Sequence, residues 1–305
     1  MNFDHIFDNL EIAPDPFALC EIHGVCEIAL DSDATATLHY VLNGEGEIVI
    51  GGQRTIPVAT GSLVLVPSLV RHVLSNKGGP LTPAPKCEPA ELELQRIMIH
   101  DAAARDDQGT LVAICARVEI GLRGAGNLVD LLREPLQARA HEGDRLHQNV
   151  TALLAELSRP HLGGRAMIRA ILLQAIIAML RQQLLSGDGA LRWMAALRDP
   201  AIWNALRDML DAPGEKHSVE SLAEASGMSR SSFAKRFVEA YGAGPMELLR
   251  DLRMRKAARY LSDTDMPVKR IAETVGFQSR SAFSRQFEAS TGQSPRQFRT
   301  SAREN

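Results

Sequence analysis

Two groups of residues have types and spacings that could do chemistry. Near the C-terminus, Arg230, Ser231, Ser232, Lys235 and Arg236 share one short helical stretch, and Gln278, Arg280, Ser281, Ser284 and Arg285 share another. A guanidinium pairs bidentately with the acceptor edge of guanine, while Ser and Gln reach either base edges or phosphates, so these faces suit double-stranded DNA. In the N-terminal third, Cys20, His39 and His72 fall on neighbouring predicted strands. A soft thiolate with two imidazoles suits zinc or another divalent metal, and a thiol in a polar setting is also a site for oxidation.

The C-terminal residues are positioned by an internal repeat. Leu222, Ala223, Gly227 and Met228 recur 49 residues later as Ile271, Ala272, Gly276 and Phe277; then, at an offset of 50, Ser229, Phe233, Phe237, Gly242 and Pro245 recur as Ser279, Phe283, Phe287, Gly292 and Pro295. Repeats of this kind are one supersecondary unit used twice. Ser218 is placed to cap a helix from Val219 to Ala225, Gly227 supplies a left-handed stop, and Ser229 caps a second helix. Phe233 and Phe237, at i and i+4, anchor that helix's inner face and leave the basic, hydroxyl-rich face outward. Gly276, Ser279, Phe283 and Phe287 repeat the logic. A short helix, a Gly turn and a capped basic helix describe a helix-turn-helix. Between the units, Pro245–Leu261 predicts one helix with Leu249, Leu252 and Tyr260 inside and Arg250, Arg253, Arg255, Lys256 and Arg259 on the other side. It would space two reading heads roughly 34 Å apart, with Arg255 on phosphate.

Composition fits this reading once it is divided along the chain. The 305 residues hold 34 Lys and Arg against 37 Asp and Glu, a net charge of −3. From Lys216 onward there are 16 basic and 10 acidic residues, a net +6, leaving −9 on the first 215. Such asymmetry suggests an anionic partner for one end. With 45% hydrophobic and 23% charged residues the chain lies within the globular norm, which excludes a largely disordered chain. The longest nearly apolar stretch, Ala166–Leu180, is too short to span a bilayer, and the acidic N-terminus lacks a signal-peptide pattern. The expectation is a cytoplasmic protein without a membrane partner, whose four cysteines are thiols by default.

The length calls for more than one domain. Residues up to about 120 read as β, with runs at Thr37–Leu42, Glu47–Ile50, Leu63–Val66 and Glu91–Ile99 separated by Gly and Pro turns. After Gly126 the period turns helical. Leu128, Leu131, Leu132 and Leu136 form one apolar stripe, and Val150, Leu153, Leu154 and Leu157 form a second. A third helix, about 165–185, is apolar on most sides and needs burial against the β region or a second subunit. The predicted fold is a multidomain α and β chain: an N-terminal β-barrel over 1–123, a helical connector and candidate dimerisation region over 124–198, and an all-α double helix-turn-helix over 199–305.

From Asp199 to Arg303 the tail resembles the DNA-binding domain of AraC/XylS-type transcriptional regulators. The resemblance rests on Ile271-Ala272-Glu273-Thr274-Val275-Gly276-Phe277, on Ser281-Ala282-Phe283-Ser284-Arg285-Gln286-Phe287, and on Gly292-Gln293-Ser294-Pro295-Arg296-Gln297-Phe298-Arg299. The N-terminal half is similar to the cupin-type sensor of one branch of that family, through Leu38-His39-Tyr40-Val41-Leu42, Gly46, Gly61–Pro67 and Arg71-His72; Trp193–Pro200 looks like that branch's entry to the DNA-binding domain. The resemblance implies a non-enzymatic transcription factor in which an effector or chemical signal at the cupin-like domain changes how a dimer engages an operator or promoter, with RNA polymerase as a partner if it activates. The alternative is a cupin enzyme or small-molecule binder whose basic tail is an interaction module.

Metal-dependent cupin enzymes carry His-x-His, then Glu, then a distant His, whereas His39 and His72 stand singly at those positions. Cys20 with His39 and His72 therefore suits a zinc-type or redox site, set against ordinary core side chains. In the string Cys20-x-x-His23-x-x-Cys26 the strand period puts His23 on the opposite face from the cysteines. Cys115 reads as core, and Cys87 as exposed in a proline-rich loop.

Overall fold

Alternation along the strands builds the N-terminal region. On β1 (Leu10–His23), Ala18, Cys20 and Ile22 point to one side and Leu19 to the other; on β9 (Thr110–Leu122), Leu111, Ala113 and Cys115 point one way while Val112, Ile114, Ala116 and Val118 point the other. β3 (Ala36–Asn43) and β6 (Ser62–Val66) sort in the same way, so one sheet carries two buried faces. The computed structural model describes residues 7–77, 89–100, 109–122, 125–186, 191, 193, 194, 196 and 199–304. The predicted exposure of Cys87 falls outside these residues.

The larger sheet has the order β11-β6-β3-β9-β1-β8, with β10 (Ala125–Asn127) paired to β9; β8 is Gln95–His100 and β11 is Leu136–Arg139. The smaller sheet runs β2-β7-β4-β5, from Cys26–Leu30, His72–Asn76, Glu45–Ile50 and Arg54–Ala59. All described pairings are antiparallel except β1 with β8. Inner residues of both sheets form one core, including Ile22, Val41, Ile48, Ile56, Val64 and Leu74. This is the predicted cupin-like two-sheet barrel.

The outer face of the larger sheet is covered by α1 (Arg145–Ser158) and α2 (Gly164–Ser186). The long apolar helix is thereby resolved as a core helix. Ile168, Leu172, Ala175, Ile176 and Met179 are buried, and α2 packs on β1, β11 and α1. At 23 residues it is longer than the apolar stretch read from the sequence. The stripe Leu128–Leu136 is not a helix. Leu128–Leu131 forms a single 3₁₀ turn, capped by Asn127, and Leu136 opens β11, which pairs with β6. Pro135 between them cannot continue a helix. The barrel sheet therefore extends past residue 123, and Leu128, Leu131, Leu132 and Leu136 are buried as a satellite of the sheet. Similarly, the run Glu91–Ile99 begins as the 3₁₀ turn Pro89–Leu92 before β8.

The C-terminal region is helical throughout its described length: α3 (Pro200–Asp211), α4 (Val219–Ala225), α5 (Arg230–Tyr241), α6 (Pro245–Asp263), α7 (Val268–Thr274), α8 (Arg280–Thr291) and α9 (Pro295–Glu304). Phe233 and Phe237 are fully buried in the first unit, as are Phe283 and Phe287 in the second. Truncating any of them to Ala costs about 3–5 kcal/mol. The turn between α7 and α8 requires glycine: Gly276 has φ +84, and a Cβ there would lie 2.7 Å from the Gly214 carbonyl oxygen.

Candidate nucleic-acid interface and sensor core

The two repeated units are built as the caps and phenylalanines predict. The Ser218 hydroxyl accepts from Ser221 N while the Ser221 hydroxyl receives the Ser218 N–H, closing a capping box on α4. Ser229 caps α5 through Ser232 N, and Ser279 caps α8 through Ala282 N. Gly242 and Gly292 end the two helices in the left-handed conformation. Arg230, Ser231, Ser232, Lys235 and Arg236 are exposed on α5. Gln278 precedes α8, and it, Arg280, Ser281 and Arg285 are exposed, with Ser284 half-buried.

The two faces differ in how their cations are engaged. Arg230 pairs with Glu220 at 2.9 Å, Lys235 with Glu239 at 3.9 Å and Arg236 with Asp199 at 2.5 Å. Among the described residues neither Arg280 nor Arg285 has an ion-pair partner. The Arg230 and Lys235 pairs are exposed and worth about 0–1 kcal/mol each, so an incoming phosphate or guanine displaces them at small cost, whereas Asp199 is largely buried and also caps α3.

The helix between the units departs from expectation. Arg255 is only 8% exposed, and its Nη2 donates to the Leu132 carbonyl at 2.9 Å. It lies on the helical stripe of Leu248 and Leu252, both buried, and therefore faces the barrel's 3₁₀ turn instead of a phosphate. Arg259 Nη2 donates to both carboxylate oxygens of Asp130, at 2.5 and 2.6 Å. Arg253 is likewise spent internally, on the Pro213 and Glu215 carbonyls. Arg133 bonds Glu247 at 2.5 Å, and the Tyr241 hydroxyl donates to the Leu131 carbonyl at 3.3 Å. The basic side of α6 is thus largely a docking surface for residues 130–133 beside the barrel. Sequence reasoning missed Asp130, Arg133 and Tyr241, because their partners lie more than 100 residues away.

In the barrel interior, Cys20, His39 and His72 do come together, with Cys115 between them. His39 on β3 stands directly opposite Cys115 on β9. Cys115 Sγ lies 3.2 Å from Cys20 Sγ and 3.2 Å from His39 Nδ1, and His39 Nε2 lies 2.7 Å from His72 Nε2. His72 Nδ1 is 3.0 Å from the Val70 carbonyl. A carbonyl only accepts, so His72 carries its proton on Nδ1 and offers a bare Nε2. His39 must then donate from Nε2 and accept at Nδ1 from the Cys115 thiol, which in turn accepts from Cys20. Each polar group in this chain has one defined role. Burial holds His39 well below the ordinary imidazole range, reinforced by nearby His72, and burial also lowers His72 despite its Val70 bond. The contact with Cys20, then burial, raises the Cys115 thiol well above its usual value.

These side chains do not make a metal site as placed. Two imidazole nitrogens on one tetrahedral zinc, each at about 2.0–2.1 Å, stand farther apart than the His39–His72 contact, and the other His39 nitrogen is occupied by Cys115. Among the described residues no group of three His, Cys, Asp or Glu side chains is arranged to hold a metal ion. The Cys20-x-x-His23-x-x-Cys26 string also diverges: Cys26 Sγ donates to the His23 carbonyl, while the His23 ring bonds Thr110 and stacks on His100 at 4.3 Å.

The cupin family matches residues 3–184, and the helix-turn-helix domain family matches residues 222–301. A putative AraC-like transcription regulator of Streptomyces antibioticus is 30% identical over 66% of this chain and 67% of its own length. The chain belongs to the AraC-type transcriptional regulators with an N-terminal cupin domain. Another relative, the HTH-type transcriptional regulator AlkR of Acinetobacter baylyi, is 24% identical over 96% of this chain and 97% of its own. The DNA-binding domain of AdpA, solved with a target DNA, is 30% identical over 34% of this chain and 94% of that one, with a TM-score of 0.33. Membership sets aside the cupin-enzyme alternative: this AraC-type regulator is a DNA-binding protein and not an enzyme.

Proposed function

We propose that this regulator reads an operator with α5 and α8, using Arg230, Ser231, Ser232, Lys235 and Arg236 in one groove and Gln278, Arg280, Ser281, Ser284 and Arg285 in the next, and that a chemical signal enters at the Cys20, His39 and His72 cluster. The observation that carries the DNA reading is the duplicated capped helix whose outer face is Arg and Ser and whose inner face is two buried phenylalanines. Arg255 is left out of the contact set because its guanidinium is buried on Leu132.

For the signal, the thiol chemistry is favoured over a resident divalent metal, because His39 spends both nitrogens on neighbours. A route to the DNA domain is contiguous. β9 carries Cys115, β10 pairs back onto β9, and Asn127 caps the 3₁₀ turn whose Asp130, Leu131 and Leu132 receive Arg259, Tyr241 and Arg255. A shift of β9 would pass through this turn to α6, which joins both readers. The reading includes a cytoplasmic setting, a homodimer on DNA, and contact with RNA polymerase if the protein activates.

Electrophoretic mobility on DNA flanking its own gene, titrated with salt and repeated after oxidant, zinc or chelator, tests the reading. Specific binding whose log affinity falls linearly with log salt is expected. Absence of specific binding, or affinity flat with salt, removes it.

A further inference from the structure

We propose that the seam between the two sheets is a separate ligand site, a cleft that binds a small hydroxy-dicarboxylate through Arg54, Arg139 and Gln182. The inference goes beyond the reading of the Cys20, His39 and His72 cluster and stands or falls independently of it.

The cleft follows from where the sheets end. β5 is the edge strand of the smaller sheet and β11 that of the larger, and both border one opening of about 590 Å³ whose third wall is the end of α2. On β11, Leu136 and Ala138 turn to the helix-covered face. Gln137 and Arg139 therefore turn the other way, opposite Val64 and Ser62 of β6. On β5 and β6 the same inner face is apolar, with Ile56, Val58 and Val64 buried in the barrel core. The change from apolar to polar residues at inner-face positions marks where the barrel stops excluding water. The opening is of a size that small-ligand sites have, roughly 300–1,000 Å³.

Charge sets the ligand class. Arg54 stands on one bordering strand and Arg139 on the other, so each side of the cleft offers a guanidinium. A guanidinium takes a carboxylate through two parallel hydrogen bonds, and two of them suit a dicarboxylate. Arg54 is held by Glu134 at 3.1 Å, with both side chains exposed, and among the described residues Arg139 has no ion-pair partner. An exposed pair of this kind exchanges readily for a ligand carboxylate.

Gln182 on α2 supplies the further requirement. Its Oε1 is buried and has no hydrogen-bond partner among the described residues, and a buried acceptor calls for a donor. Carboxylates only accept, so the donor is a hydroxyl on the ligand. Ile56 and Val64 leave a short apolar floor for the carbon chain between the two carboxylates.

The cleft also touches the segment that holds the DNA domain. Glu134 follows Arg133, which bonds Glu247 of α6, and Leu132 beside it receives Arg255. A ligand carboxylate on Arg54 releases Glu134 and so loosens one end of the segment on which α6 docks.

The test titrates the full chain with malate by calorimetry at low salt, alongside succinate, which lacks the hydroxyl, and neutral malamide. Malate is expected to bind most tightly and malamide not at all. Arg139→Gln or Arg54→Gln is expected to weaken malate by about tenfold or more, the loss of one charge-assisted pair. Gln182→Leu is expected to lower malate to the affinity of succinate and to leave succinate unchanged. Glu134→Gln is expected to tighten binding, because it removes the carboxylate that competes for Arg54; a merely structural ion pair would not shift affinity in that direction. No heat with malate at millimolar concentration, equal binding of malate and malamide, or full affinity in a folded Arg139→Gln overturns the site. Operator mobility with and without malate is read separately. Unaltered mobility leaves the site in place and defeats its route through Glu134, whereas loss of all specific DNA binding defeats the operator reading and leaves the calorimetry standing.

Discussion

Arg255 Nη2 donates to the Leu132 carbonyl at 2.9 Å from a site only 8% exposed, so a basic residue of the central DNA-domain helix is a bolt to the cupin barrel. Arg255→Ala removes that bond and strands a buried carbonyl, a loss of about 1–3 kcal/mol. A lower unfolding midpoint in thermal melts is expected, with the slope of log affinity against log salt unchanged. A slope reduced by about one, as for a lost phosphate contact, contradicts the placement.

Arg280 and Arg285 behave otherwise, because they are exposed on α8 and have no ion-pair partner among the described residues. Arg280→Ala or Arg285→Ala is expected to cost about 1–3 kcal/mol of operator binding and to relax specificity at the base pair read. Competition binding against operators mutated one base pair at a time checks it. Uniform weakening across all sequences would assign these residues to phosphate instead.

Much of this was legible in the sequence, and the exceptions share a cause. The duplicated unit showed itself because caps, Gly stops and Phe anchors act over three to eight residues. Short strand runs between Gly and Pro turns put Cys20, His39 and His72 on neighbouring strands for the same reason. Arg255 was misjudged, and the partners of core Cys115 stayed hidden, because these pairings span 123, 95 and 76 residues. A basic residue at an apolar stripe position of α6, Leu248-x₃-Leu252-x₂-Arg255, was the one local sign that the helix has two buried sides. Pro135 was the comparable sign that the Leu128–Leu136 stripe could not be a helix.

Asp130 is 5% exposed and takes Arg259 on both oxygens, which makes this ion pair the strongest link between the 3₁₀ turn and α6. Asp130→Asn keeps the shape and removes the charge. The half-exposed Arg259 regains water, so the expected loss is modest, about 1–2 kcal/mol. If the turn couples sensor to reader, the variant binds its operator but no longer changes affinity with the signal that alters the wild-type protein. Operator titrations with and without oxidant separate the two properties; a full response in Asp130→Asn rules out this link as the route.

Acid is expected to weaken the barrel, and the sign follows from the buried imidazoles. Burial lowers both His39 and His72 below the ordinary value of 6.5, so the folded barrel binds fewer protons than the unfolded chain once pH falls past that value. Their contribution is fully present above pH 6.5 and is lost as pH falls toward the depressed folded values. Each imidazole contributes a slope of at most about 1.4 kcal/mol per pH unit. Protonation also converts the acceptor nitrogens of His39 and His72 into donors, and these then face the Cys115 thiol and the His39 N–H. Thermal melts at pH 7.5 and 5.5, for the wild type and for His72→Gln, measure the effect. The glutamine amide keeps a hydrogen-bonding group but cannot titrate, so the variant should lose less stability on acidification than the wild type. Equal acid sensitivity in the two proteins would place the titrating groups elsewhere.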